Sequence, residues 1–230
     1  MKKQFFIILI LLPFVNFAQY FSSGGLFESK FGVTVGTSIF NPKTNFISSK
    51  SGIGFNVGIN STAYISDHFE FTMGINYFQH YTTLIGKETE LSEPEDLKFK
   101  VSTLNVPLVF DYIYLLKDDF KLGVNVGTAI SFFHEFEVLD NSKEQYLLDP
   151  ISLNAVDLGL RTDGDELQLN TYYSFGTNIQ NDYFKLEISY NKNLSKPYKN
   201  IPIRNEYLVP SGKDSFVALT VTYFFGDNTF

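Results

Sequence analysis

Three histidines, His68, His80 and His134, are the side chains in this 230-residue chain best suited to acid–base chemistry at neutral pH. A nucleophilic or general-base set needs partners within about 3 Å. His68 falls in a short turn, far from the others. His80 and His134 lie near the ends of two segments that alternate apolar and polar residues, and that alternation turns His80 to one face and His134 to the other. Ser131 would meet His80 only through a fortunate closure of the sheet. The residues therefore predict polar groups near a rim rather than a catalytic set, and no catalytic residue is expected. Asp163-Gly164-Asp165-Glu166 has the composition of a cation loop but lacks the spacing that ends in a Glu at the twelfth position. It reads as a solvated acidic turn, and neither a metal nor a cofactor is expected.

The elements carrying these groups are more informative. Eight segments alternate apolar and polar residues over about ten positions each, the period of a β-strand. Ser66-Asp67-His68, Lys117-Asp118-Asp119 and Asn181-Asp182 are short links; residues 41–51, 85–97, 137–166 and 195–212 are long ones. The two kinds alternate. Tight turns at one end and long loops at the other are the mark of an outer-membrane barrel, with short periplasmic turns and long outward loops. The fold class expected is all-β: an eight-stranded antiparallel up-and-down transmembrane barrel.

The two faces of the segments support a bilayer. Val124, Val126 and Ile130 on one strand, like Leu186, Ile188 and Tyr190 on another, form an apolar face. The opposite faces carry mainly Gly, Asn, Ser and Thr, which suit the cramped interior of a small barrel. A soluble barrel would show Lys and Glu on its outward face instead. Phe (25) and Tyr (14) bring aromatic residues to 17%, enough for interfacial girdles. Met1-Lys2-Lys3, an apolar run from Phe5 to Phe17, and Ala18-Gln19 read as a signal peptide over residues 1–18. Residues 19–29 follow as a periplasmic segment and 30–230 as the barrel, placed in the cell outer membrane. There is no cysteine for lipid attachment or disulfides. With 25 Asp+Glu against 18 Lys+Arg, the acidic balance argues against nucleic acid.

Parity turns Glu70, Asp111, Lys121, Lys185 and Glu187 into the lumen, where charges must pair. Near-balance of sign favours a plugged interior over a selective channel. In the third long loop, Leu148, Ile151, Leu153, Val156 and Leu158 either pack over the barrel mouth or meet a partner. The fourth loop is basic (Lys196, Lys199, Arg204, Lys213) and the second and third are acidic, so docking between loops or onto a partner is expected. Val217, Leu219, Val221, Tyr223 and Phe225 form the last strand, the candidate signal for the barrel-assembly machinery, with either Phe225 or Phe230 as its terminal aromatic.

Leu104-Asn105-Val106-Pro107-Leu108-Val109 resembles the Leu-x-Ile-Pro-Leu-Leu signature of the Bacteroidota outer-membrane β-barrel family, called PorT-like, with OmpA-type eight-stranded barrels. Leu122-Gly123-Val124-Asn125-Val126-Gly127 is similar to that family's glycine-marked fifth strand, and Ala18-Gln19 to its export sites. The resemblance covers nearly all of the mature chain, but its motifs are folding motifs. The family includes a component of type IX secretion. Residues and resemblance together lead to the expectation of a monomeric, non-enzymatic barrel in outer-membrane lipid. Its role would be structural, or that of an accessory to an outer-membrane or periplasmic protein partner, with secretion as one setting. The alternative expectation is a narrow passive pore for small solutes.

Overall fold

The computed structural model describes residues 29–117, 120–149, 153–155, 158, 169–198 and 211–225. It contains β1 (Ser29–Thr44), β2 (Ser49–Ser66), β3 (Phe69–Lys87), β4 (Glu95–Lys117) and β5 (Phe120–Val138). Two short strands follow, β6 (Leu147–Leu148) and β7 (Leu153–Asn154), and then β8 (Leu169–Gln180), β9 (Phe184–Asn193) and β10 (Gly212–Phe225). Each long strand pairs antiparallel with its neighbour in sequence; β1 pairs with β10 and β2 with β3, so the sheet closes into a ring of eight. The two-residue strands β6 and β7 extend one edge, with Leu148 opposite Gly86 of β3. Closure leaves no long unpaired edge, the condition for a sheet in hydrocarbon.

The apolar face points outward over the spanning strands. Val35, Phe55, Val126, Phe175, Leu219 and Phe225 are each between 43% and 61% exposed, too much contiguous apolar surface for contact with water. The inward face is small and polar because the interior of eight strands has little room. Asn56 sits opposite Gly36 and Asn125 opposite Gly176. A Cβ at Gly36 would lie 2.6 Å from Asn56 Oδ1, and one at Gly176 2.7 Å from Asn125 Oδ1. The glycine is what lets each carboxamide lie flat against the neighbouring strand.

Beyond the bilayer the pattern inverts, which the sequence reading did not anticipate. Strands β3 and β4 run for 19 and 23 residues, whereas β8 and β9 run for 12 and 10. About 9–11 tilted residues cross a membrane. On β4 the outward apolar series ends at Leu104, and Ser102, Lys100 and Lys98 continue it, while Val101, Phe99 and Leu97 turn inward and are fully buried. The wall β2–β5 thus stands about 20 Å above the membrane. It is built like a soluble protein, apolar inside and polar outside. Two expected long loops shrink accordingly: β1 and β2 are joined by residues 45–48 and β3 and β4 by 88–94. The remainder of those stretches is strand. A bulge in β5 opposite Thr103 keeps the inversion in register, since Ser102 pairs with Glu135 but Leu104 with Phe132. The extra residue turns Phe136 and Val138 inward, although Ser131 already points inward.

Candidate functional site

The lumen has three levels. Nearest the short turns is an ionic cluster. Lys185 donates to Asp111 at 2.8 and 2.9 Å and lies 3.5 Å from Glu187. Asp111 also accepts from Asn178 Nδ2 at 2.6 Å. Lys121 reaches Glu70 at 3.4 Å, and Glu70 accepts from Gln180 Nε2 at 2.8 Å. All five lumen charges read from parity therefore lie in this region, brought together by β3, β4, β5 and β9. Sequence reasoning missed a sixth. Lys30, at the start of β1, is buried, donates to the Asp182 carbonyl at 3.0 Å and lies 3.4 Å from the Asp182 carboxylate. Its even position, in step with Gly32 and Thr34, was the available signal. The Tyr64 ring lies between two of these ammoniums, 5.3 Å from Lys30 Nζ and 4.8 Å from Lys121 Nζ.

Above the cluster lies a cavity of about 80 Å³ lined by Asn56, Asn60, Asn76, Asn105, Ser189 and Asn191 among others. The carboxamide oxygens of Asn60, Asn76 and Asn105 make no hydrogen bond within the protein. A polar cavity of this size has room for several waters, the ligands that those oxygens call for.

The third level is a stack of rings and aliphatic side chains where a small polar interior was expected. Phe40, Phe78, Tyr172 and Phe216 point inward, and His80 lies between the rings, stacked on Phe40 at 4.6 Å and on Phe78 at 5.3 Å. The Phe216 ring is 5.1 Å from Phe78 and 5.6 Å from Tyr172. The core continues upward through Val101, Phe99, Leu97, Phe136 and Val138. The loops close it. Leu148 and Leu158 of the third loop are buried in this core, as are Phe46 and Ile47 of the first and Tyr198 of the fourth, whose hydroxyl donates to Asp214. The period of two gave no warning that large rings would fill the outer part of the lumen, although Phe78 and Phe216 stand at inward positions of β3 and β10.

The remaining candidates are dispersed. His80 Nδ1 bonds Ser38 Oγ at 2.9 Å, not Ser131, whose hydroxyl is buried without a partner. Ser38 is the partner that the sequence did not reveal, 42 residues away on β1, the next strand but one. Both residues are buried under rings, so the pair offers a substrate no access. His68 Nδ1 lies 2.8 Å from the Ile113 carbonyl oxygen and ties the β2–β3 turn to β4. The His134 and Leu153 side chains, Ile151, Val156, Asp163–Glu166, Arg204 and Phe230 lie outside the described residues. Among the described residues no three His, Asp or Glu side chains converge on a point that could hold a metal ion. Glu95 and Asp96, expected in loop two, open β4 instead and meet lysines of loop three and β2: Lys143 to Glu95 at 2.5 Å and Lys50 to Asp96 at 2.7 Å. Val217, Leu219, Val221, Tyr223 and Phe225 project outward along β10, each between 38% and 51% exposed.

Residues 17–198 match the model of the outer membrane protein beta-barrel domain family. The chain belongs to that family. Its place in the cell is thus the outer membrane. Solved structures similar to this member of the outer membrane protein beta-barrel domain family include Neisserial surface protein A (12% identity, 86% of this chain and 99% of that one, TM-score 0.45). Pseudomonas aeruginosa OprG (12%, 87% and 98%, 0.45) and Yersinia pestis Ail (14%, 86% and 99%, 0.38) are others. No curated protein matches this member of the family in sequence.

Proposed function

We propose that this chain is a closed, non-enzymatic outer-membrane barrel whose working surface is the wall raised above the bilayer, not the lumen. It serves as a structural or partner-binding accessory of an outer-membrane assembly. The observation that carries this reading is the seal. Ions close the lumen at one end and packed rings at the other, while strands β2–β5 continue outward as a rigid, polar-faced platform. A barrel that served only as an anchor would have no use for β-structure about 20 Å beyond the membrane. The platform ends in an acidic turn, Glu88 to Glu93, held by Thr89 and Ser92 (Oγ to Oγ, 2.7 Å), with Leu91 98% exposed at its tip. A lone leucine presented on a tight turn among glutamates fits a partner with a basic-rimmed apolar pocket.

Leu148 and Leu158 are covered by the barrel's own mouth, so contact with the partner falls to the tip and the outward face (Lys98, Lys100). The PorT-like signature on β4 supports a Bacteroidota protein exported by a cleaved signal peptide, and a role in secretion. The barrel itself is proposed to be monomeric. Site-specific photo-crosslinking in whole cells tests this. A crosslinker at Leu91 or Lys98 should trap one discrete protein, and one at lipid-facing Val126 should not. Were Leu91 and Lys98 as silent as Val126, the accessory role would be abandoned.

A further inference from the structure

Three lysines meet on the outer face of β9, β10 and β1. Lys43 and Lys213 are direct cross-strand partners, and both are exposed. Lys192 pairs with Ser215, which places it diagonal to Lys213 on the same face. Directly opposite side chains have Cβ atoms about 5 Å apart and diagonal ones about 7–8 Å apart. Like charges set opposite each other destabilise a sheet. Elsewhere above the bilayer the lysines are mostly paired: Lys50 with Asp96 at 2.7 Å, Lys87 with Asp149 at 2.9 Å, Lys100 with Glu137 at 2.7 Å and Lys143 with Glu95 at 2.5 Å. Among the described residues no carboxylate pairs with Lys43, Lys192 or Lys213.

The level at which they sit is equally specific. Going down the same face toward the membrane, Asn41 and Ser215 come next, then Ile39, Val217 and Tyr190, which begin the lipid-facing band. The order is cationic, hydrogen-bonding, apolar. A phosphorylated glycolipid seated in the outer leaflet has the complementary order: phosphate, sugar, acyl chain. We infer that this face holds the phosphates of an anionic outer-leaflet glycolipid, with Lys43, Lys192 and Lys213 as its counter-charges. The lipid relieves the Lys43–Lys213 repulsion, and the neighbouring Ile39, Val217 and Tyr190 pack against its chains. The outer leaflet is the source, because the lysines lie at the level of its headgroups and their own strand positions continue into its hydrocarbon.

The test is retention of lipid by the full chain folded in detergent micelles. The probes are bisphosphorylated lipid A and the same lipid with its phosphates removed. Wild type should retain the phosphorylated probe and not the other. Changing Lys43, Lys192 and Lys213 together to Gln should weaken retention by about fivefold per lysine, on the order of a hundredfold in all. The triple Lys→Arg variant should retain it, and Lys143→Gln, which only opens the pair with Glu95 of β4 on the opposite wall, should leave it unchanged. Heat-modifiable gel mobility certifies each barrel as folded. The inference is overturned if the folded triple Gln variant binds like wild type, if both probes bind alike, or if Lys143→Gln loses as much. Displacement by excess inorganic phosphate would overturn the lipid as the source.

Discussion

The Lys185 ammonium lies 2.8 Å from one Asp111 oxygen and 2.9 Å from the other, although the two residues are 74 apart in the chain. Both side chains are almost wholly buried, at 5% and 0% exposure. Removing one partner of such a pair leaves an uncompensated charge and costs about 3–5 kcal/mol, whereas removing both costs far less. Lys185→Met should therefore lower stability by about that amount, and Lys185→Met with Asp111→Asn should recover most of the loss. Urea unfolding in phospholipid vesicles measures it. Equal losses in single and double variants would deny the pairing its role.

A second prediction tests where hydrocarbon ends. Leu219 lies inside the apolar band and Ser215, four residues earlier on the same face of β10, lies above it. Leu219→Arg should cost about 2–4 kcal/mol in vesicles, and Ser215→Arg close to nothing. A large cost at both positions would move the boundary outward.

A third concerns assembly, which must recognise the last strand before it closes on β1. Deleting residues 225–230 should remove Phe225 from its register opposite Phe31 and leave the chain in the periplasm for proteolysis. Deleting 227–230 should leave surface levels normal, assigning the terminal aromatic to Phe225. Immunoblots of outer-membrane fractions separate the two; normal levels after the longer deletion would refute the signal.

The second and third loops are predicted to part in acid. Glu95 sits at the outer tip of β4, and the hydrogen bond from Lys143 holds its carboxyl below the ordinary 4.5, while the same bond raises Lys143 above its ordinary 10.5. A lowered acid stabilises the contact above its unfolded value and loses that contribution as pH falls through its folded value. For the raised base the contribution is complete below its unfolded value and fades as pH rises through its folded one. The contact is thus held between those limits. Carboxyl NMR should show the Glu95 midpoint below 4.5, returning toward it in Lys143→Met. An unchanged midpoint in that variant would remove the contact.

The spanning half of the barrel was legible because its rule is simple. Val124, Val126 and Leu219 alternate with small polar residues, and water would not tolerate that face. The raised wall was not, because inversion preserves the period. Lys98-Phe99-Lys100-Val101 alternates as faithfully as Leu104-Asn105-Val106, but with the opposite face turned outward. Only the boundary distinguishes them, and a sequence carries no mark of it. The β5 bulge hid the matter further by shifting parity between Ser131 and Phe136. The lumen charges could be read individually, since each follows from its own strand, but their partners could not. Ser38 meets His80 through the curl of β1, β2 and β3, and Lys30 meets Asp182 only when β1 closes on β10. Residues 45–48 and 88–94 seemed part of longer loops because their flanks carry few apolar residues. Those flanks are strand edges with water on one side.

The proposed closed barrel needs a lumen sealed by Lys185, Asp111 and Glu187 below and by Phe40, Phe78, Tyr172 and Phe216 above. Single-channel recording of the full chain in planar bilayers tests that most directly. It should show no discrete conductance steps at any moderate voltage, in preparations whose heat-modifiable mobility certifies folded barrel. Steady, unitary steps from such a preparation would contradict the seal and make the lumen, not the raised wall, the working part of the molecule.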